Sequence, residues 1–408
     1  MAEFTHDRIW LSSPHMSGNE MKFIEEAFGQ NHVFPLGPNV TGFEDDLRRF
    51  TGAAHCSCLS SGTAAIHLAL IALGVEQGDE VICSTFTFAA SANPIAYLKA
   101  VPVFVESEGE TWNMRPADDL PFTNYHLTDN RQPTTDNRPQ ASLEGAIKDR
   151  IRKGRRPKAI IVVHLYGMPA RMEEVMRIAG EYGIPVIEDA AEALGSRYMG
   201  QPCGTFGDIG ILSFNGNKII TTSGGGAMLS QNKAYCDQAA FLATQAREPA
   251  PHYQHAQIGY NYRMSNICAG IGRGQMEVLE QRVEKRRENF NYYKQALGDL
   301  PGISFLEEPG DHFFSNRWLT TILVDPEQSG GVKSEDLRIG LEKLNIETRP
   351  LWKPMHLQPI FKECPAYVDG TSEWLFNRGL CLPSSSNITD GEREMVGQAI
   401  RRIVTGDR

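Results

Sequence analysis

The chain has 408 residues, 41% hydrophobic and 22% charged, which suits a folded globular protein of two or three domains with an ample core. Acidic residues outnumber basic ones by 50 to 40, a net charge of −10, and no long Lys/Arg stripe interrupts that balance, which argues against nucleic acid or a membrane surface as partner. No apolar run reaches membrane-spanning length, the opening MAEFTHDRIW lacks a signal-peptide pattern, and the eight cysteines form no CxxC pair; a cytoplasmic location with reduced thiols is expected.

The spacing of Met21, Ile24, Ala27 and Phe28 predicts an amphipathic helix over Ser17–Phe28. Asn31–Asn39, with two prolines and a glycine, is a loop, and a helix over Val40–Phe50 follows, stopped by Gly52. A strand, Ala53–Leu59, runs through Ser60-Ser61-Gly62-Thr63 into a helix over Ala64–Leu73. Strand Glu80–Ser84, helix Ser91–Lys99 and strand Val101–Val105 continue the alternation. The polar, Pro/Asn/Thr-rich stretch Asp118–Gln140 is expected to be a surface insertion. Helix Leu143–Arg152, strand Lys158–His164, helix Arg171–Tyr182 and strand Ile184–Glu188 come next, and this order implies an α/β fold with a mostly parallel sheet covered on both faces. Apolar runs at Ile209–Phe214 and Ala227–Leu229 bracket a glycine-rich bend. Beyond it lie a helix over Asn232–Thr244, an aromatic- and His-rich loop over Arg247–Tyr262, and one long helix over Asn266–Leu297. Strand segments Ile303–Leu306 and Arg317–Val324 and helices Ser334–Leu344 and Asp390–Val404 lose the strict alternation, which predicts a smaller C-terminal α+β domain. The expected division is 1–250, with 1–40 lining the site, and 251–408.

The bend contains Lys218, flanked by small and polar residues and followed by Gly224-Gly225-Gly226. A lysine held there out of bulk water is a nucleophile toward carbonyls, because desolvation disfavours an ammonium; the bland alternative is a solvated surface charge. Three stretches supply partners. Ser61-Gly62-Thr63 stands at a strand-to-helix junction, where unpaired N–H groups and the helix dipole favour a phosphate, or where Ser61 simply caps. Asp189 follows a buried apolar strand, at the end where open α/β sheets place ligands; it faces a protonated ring nitrogen or caps the next helix. Phe88 either lies against a flat ring or packs in the core. Together they describe a pyridoxal phosphate site, with Lys218 bearing the cofactor. Gly270-Ile271-Gly272-Arg273-Gly274 has dinucleotide-like spacing but follows no strand, and His252 and His255 are read as packing or capping residues; no metal is expected.

The sequence resembles the fold-type I pyridoxal phosphate enzymes, and within them the DegT/StrS family of nucleotide-sugar aminotransferases. The resemblance lies in Ser61-Gly62-Thr63-Ala64-Ala65, Thr85-Phe86-Thr87-Phe88-Ala89, Val163-His164-Leu165-Tyr166-Gly167, Glu188-Asp189-Ala190-Ala191, Ser213-Phe214 before Lys218, and Gly259-Tyr260-Asn261-Tyr262-Arg263-Met264. It implies a seven-stranded, mostly parallel central sheet with helices on both faces. It implies that Lys218 carries the cofactor, Asp189 binds the pyridine nitrogen, Phe88 stacks on the ring, and Gly62, Thr63 and Ser213 hold the phosphate. Asn261 matches the asparagine that reaches the neighbouring subunit's phosphate, so a homodimer is implied. Asn31 in its loop, Arg263 and His356 in the segment Arg349–His356 are implied to line the nucleotide-sugar cleft. Glu192 departs from the His or Gln of many members and stands near the cofactor's 3-oxygen, where a carboxylate must share a proton. SFNGNKIITTSGGG and LGPNVTGFE are similar to the branch that uses glutamate to aminate C4 of UDP-linked 4-keto-6-deoxy-N-acetylhexosamines, toward bacillosamine-type sugars. The competing readings are a C3 aminotransferase acting on a dTDP-sugar; a sugar dehydratase, which by the same resemblance carries His where Lys218 stands; and a cofactor-binding regulator, for which no DNA-reading segment is seen.

Overall fold

A computed structural model describes residues 6–118 and 140–406. Its main sheet is built from β1 (His55–Leu59), β2 (Glu80–Ser84), β3 (Val101–Val105), β4 (Ala159–Val163), β5 (Val186–Asp189), β6 (Ile209–Ser213) and β7 (Gly226–Ser230), side by side in the order β1-β7-β6-β5-β4-β2-β3. β7 is antiparallel to both β1 and β6, and the β6-β5-β4-β2-β3 block is parallel. The expected count of seven needs one correction: a two-residue strand, Ala366–Tyr367, joins the edge parallel to β3. It is too short to show periodicity and reaches the sheet only through tertiary folding.

Strands covered on both faces are apolar throughout, and the pleat sends successive residues to opposite sides. In β4, Ile160 and Val162 share a core with Ile147, Val175 and Ile178 of the helices Leu143–Arg152 and Met172–Tyr182. Ala159 and Ile161 face the other core, with Leu68 and Leu242 of the helices Gly62–Ala72 and Lys233–Ala243. A second, antiparallel sheet has the order Ile303–Phe305, Thr320–Val324, Gly379–Leu382, Arg349–Pro350. It packs through Ile322 and Leu380 on Tyr293, Leu337 and Ile400 of three helices, and Ile9 from the N-terminal segment enters the same core.

The single long helix expected over Asn266–Leu297 is two helices, Asn266–Met276 and Leu279–Leu297, because Val278 leaves helical geometry (φ −121°, ψ 7°). The halves serve different neighbours. A Cβ on Gly274 would stand 2.7 Å from the backbone of Glu20, so the first half's glycines allow close packing on the N-terminal helices; this accounts for their dinucleotide-like spacing. The second half delivers Phe290, Tyr293 and Leu297 to the second sheet. The Ser91–Lys99 helix is likewise reduced to a 3₁₀ turn, Ala89–Ser91, and a short helix, Asn93–Tyr97. Apart from its two end residues, the insertion expected over Asp118–Gln140 lies outside the described residues. All eight cysteines are free. Among the described residues no helix is long and apolar enough to cross a membrane.

One buried polar network fixes the end of β5. Glu188, fully buried, accepts from His164 Nε2 (2.9 Å) and from the backbone N–H groups of Gly204 (2.8 Å), Phe206 and Gly207 (2.6 Å). The Ala170 N–H donates to His164 Nδ1 (3.0 Å), which places the ring proton on Nε2. Glu188→Ala leaves four donors without an acceptor and is expected to cost about 3 kcal/mol or more. The measurement is the urea midpoint; an unchanged midpoint would show that the network does not hold the strand end.

Candidate active site

The carboxyl ends of β1, β2, β4, β5 and β6 meet the start of antiparallel β7 at one edge of the sheet. There they line a cavity of about 360 Å³, the position and size expected of a small-molecule site in an open α/β fold. Each functional side chain is set there by a strand ending.

After β1 the chain turns at Ser60-Ser61 and the helix begins at Gly62. Ser61 Oγ accepts from the Ala64 N–H (3.0 Å), so its capping role is real. The capping leaves the Gly62 and Thr63 N–H groups as first-turn donors without a helical acceptor, and both residues line the cavity. A Cβ on Gly62 would meet Ser213 Cβ at 3.2 Å, so glycine permits the close approach of the helix end to β6. This end of the cavity is built for an anion.

Asp189 is the last residue of β5 and is 5% exposed. Ser91 Oγ donates to its Oδ2 (2.6 Å) and the Ala191 N–H to its Oδ1 (3.2 Å); Thr87 Oγ1 lies 2.8 Å from Ser91 Oγ and so steadies the first donor. Two donors leave a carboxylate with spare acceptor capacity, enough for a ring N–H. Phe88 lines the cavity with half its surface exposed and meets Trp352, 5.1 Å between centroids.

Lys218 Nζ lies 3.4 Å from Glu192 Oε1 and 4.1 Å from the centroid of the Trp318 ring. Glu192 Oε2 accepts from the Tyr166 N–H (2.7 Å). Burial pushes the Glu192 carboxyl above the usual carboxylate range, and the nearby Asp189 charge adds to this; Lys218 and the Tyr166 N–H pull the other way.

Of the residues singled out from sequence, Gly62, Thr63, Phe88, Asp189, Glu192, Ser213 and Lys218 all line this one cavity. Asn261, Asn31, Arg263 and His356 do not. Asn261 is exposed, between Tyr260 and Tyr262, whose rings stack at 5.0 Å. Asn31 is exposed at the end of the helix Glu20–Gly29. Arg263 is turned inward, paired with Glu44 (2.7 Å) and donating to Ser57 Oγ (3.1 Å) and Cys58 O (2.9 Å). His356 is held between Thr85 Oγ1 (2.6 Å) and Glu373 Oε1 (3.2 Å). None of residues 6–40 lines the cavity; Ser12 Oγ donates to Asn217 O (2.7 Å), one residue before Lys218. His252 and His255 lie exposed in their loop, 3.2 Å from Gln254 Oε1 and 2.8 Å from Gln245 O respectively.

Sequence reasoning missed Ser91, Tyr166, Asn316 and Trp318 as site residues. Tyr166 falls inside a quoted motif and Ser91 opens a predicted helix two residues beyond another, but their roles rest on contacts across the sheet. No local signal marks Asn316 or Trp318. An anion-binding helix end, a buried carboxylate with spare capacity, a half-exposed aromatic ring and an amine together fit a phosphorylated pyridine aldehyde.

Comparison with known proteins agrees with this geometry. The sequence model of the DegT/DnrJ/EryC1/StrS aminotransferase family matches residues 14–118 and 132–401. EpsN of Bacillus subtilis (strain 168), assigned by name to the pyridoxal phosphate-dependent aminotransferases, is 50% identical over 402 residues, 98% of this chain and 96% of its own. GDP-perosamine synthase of Escherichia coli O157:H7 is 35% identical over 395 residues, 97% and 98% of the two chains. The crystal structure of a DegT DnrJ EryC1 StrS aminotransferase from Brucella abortus superposes with a TM-score of 0.82 at 28% identity, over 94% of this chain and 95% of that one. The chain therefore belongs to the DegT/DnrJ/EryC1/StrS family, as a pyridoxal phosphate-dependent aminotransferase.

Proposed function

We propose that this aminotransferase moves an amino group from L-glutamate to the C4 ketone of a UDP-linked 4-keto-6-deoxy-N-acetylhexosamine, as a homodimer. The observation that carries the transferase chemistry is the meeting of Lys218, Glu192 and Asp189 with the Gly62 helix end in one cavity. A nucleotide sugar is supported by the named activity of the Escherichia coli relative. The UDP-sugar branch is supported by the segments SFNGNKIITTSGGG and LGPNVTGFE. A GDP-linked 4-keto-6-deoxyhexose is the second reading, favoured by the near full-length match to a GDP-perosamine synthase. The exposure of Asn261 outside its own cavity supports a role at a neighbouring subunit's site.

Bound pyridoxal phosphate supplies an electron-accepting ring that stabilises charge released at the donor's Cα. The protein's own groups do the rest. The Gly62 and Thr63 N–H groups and the Ser213 hydroxyl would hold the phosphate. Asp189, steadied by Ser91, would keep a proton on the ring nitrogen by offering a negative charge where water is scarce. Lys218 takes the Cα proton from the donor and later delivers one to the sugar carbon, as a general acid–base group on a flexible stem. Glu192, 3.4 Å away, is placed to set the charge around that amine.

Lys218→Ala is expected to reduce turnover by about 10²–10⁴-fold or more while leaving cofactor bound; transamination at the parental rate would sink the assignment. Mixing Lys218→Ala chains with Asn261→Ala chains should restore part of the activity in mixed dimers, and failure to do so counts against shared sites. Because burial raises the Glu192 carboxyl, its negative charge is present at higher pH and lost as pH falls through a range above that of ordinary glutamates. The acidic limb of the pH–rate profile should therefore flatten in Glu192→Gln, and the pH titration of the cofactor's absorbance should move with it. If both stay as in the parent, Glu192 does not share a proton in the site. Incubating the enzyme with glutamate and a panel of UDP-, GDP- and dTDP-linked 4-keto and 3-keto sugars, then reading product masses, tests the substrate; amination of the GDP sugar alone favours the second reading, and amination of dTDP 3-keto sugars alone rejects both.

A further inference from the structure

Trp318 has no part in the roles assigned so far, yet it supplies one wall around Lys218. Its ring is 1% exposed and its centroid lies 4.1 Å from Lys218 Nζ. That wall is fixed at every edge. Trp318 Nε1 donates to Asn217 O (2.7 Å), next to Lys218 in sequence, and Arg286 donates to Trp318 O. The Trp318 N–H donates to Asn316 Oδ1 (2.8 Å), while Asn316 Nδ2 donates to Glu192 O and Leu194 O, both at 2.9 Å. Asn316 thus clamps the tryptophan wall to the segment that carries the Glu192 carboxylate. The indole also lies nearly parallel to the Tyr166 ring (13° between planes, centroids 6.5 Å apart), and the Tyr166 N–H holds Glu192 Oε2.

Two positions of this frame are strained. Arg317, immediately before Trp318, has φ 53°, and Tyr166 has φ 54°. Non-glycine residues adopt that region at a cost and persist in it where surrounding structure over-determines them, often at functional sites. Both strained residues serve the same small region. Arg317 is over-determined by its buried guanidinium, which donates to Leu306 O and lies 3.7 Å from the Phe290 ring centroid.

We propose that Trp318 and Glu192 form a seat for the Lys218 ammonium during the part of the cycle in which that amine is free of the cofactor. The electron-rich indole face attracts the cation where water is excluded, and the carboxylate supplies the counter-charge. Together they keep Lys218 inside the cavity, ready to deliver its proton, and limit its escape to solvent. Trp318 is then a positioning residue that acts through Lys218. Removing the ring face weakens the hold on Lys218, so the amine leaves its seat more often and meets an added reagent sooner.

The proposal rests on Lys218 being the cofactor-bearing amine, and the test separates the two. Borohydride reduction of the holoenzyme followed by peptide mass spectrometry identifies the lysine that holds the cofactor; a lysine other than Lys218 overturns the site itself. The enzyme loaded with pyridoxamine phosphate is then pulsed with acetic anhydride, and acetylation of the Lys218 peptide is timed. Trp318→Phe keeps a weaker ring face and Trp318→Leu keeps none. Lys218 should be acetylated about twofold to threefold faster in the first and about tenfold faster in the second. Uniform replacement of the tryptophans by 5-fluorotryptophan keeps the shape and drains the ring face, so it removes any effect of easier access and covers a leucine variant that fails to fold; here about twofold acceleration is expected. With the cofactor trapped on Lys218, unchanged acetylation in the fluorinated and phenylalanine proteins overturns the seat.

Discussion

The structure depends on keeping an ammonium and two carboxylates together in one cavity with their side chains largely buried. Each such charge is expensive to bury by itself, at several kcal/mol even after relaxation. The fold meets that cost by giving each charge its own partners. Asp189 has the Ser91 hydroxyl and the Ala191 N–H, Glu192 has the Tyr166 N–H and Lys218, and Lys218 has the Trp318 face. The result is a site already ordered before substrate arrives. Reacting groups then need little rearrangement at the moment of proton transfer.

That ordering is paid for by elements distant in the chain. The end of β5 is held from below by Glu188 and His164, which tie the strand to the Gly204–Gly207 turn. Asn316 ties the segment before the second sheet to Glu192 and Leu194. The left-handed backbone at Tyr166 and Arg317 is tolerated because both residues are locked on all sides, the first by aromatic stacking and the second by its buried guanidinium. A site spread over two sheets in this way is sensitive to changes remote from the reacting atoms.

Much of the sheet was legible because physics acts locally there. Fully apolar runs such as AIIVV at β4 have one stable home, a strand covered on both faces, and the bounds of β2 and β3 follow from their flanking breakers. The glycine-to-helix junction at Gly62 and the strand-end Asp189 were legible for the same reason. The long helix was not, since nothing in its composition breaks it at Val278; it bends because its halves pack on different cores. The partner of Arg263 was not legible, because its neighbours in sequence say nothing of Glu44, which draws it inward.

The sequence by itself determined the fold class and which residues stand at the strand ends and in the glycine-rich bend, because strand endings, glycine and an isolated carboxylate act through short-range sterics and solvation. Only the tertiary structure decided what surrounds that lysine. Trp318, Asn316 and Tyr166 meet Lys218 and Glu192 through packing between distant segments, and a contact of that kind leaves no period or motif in the chain.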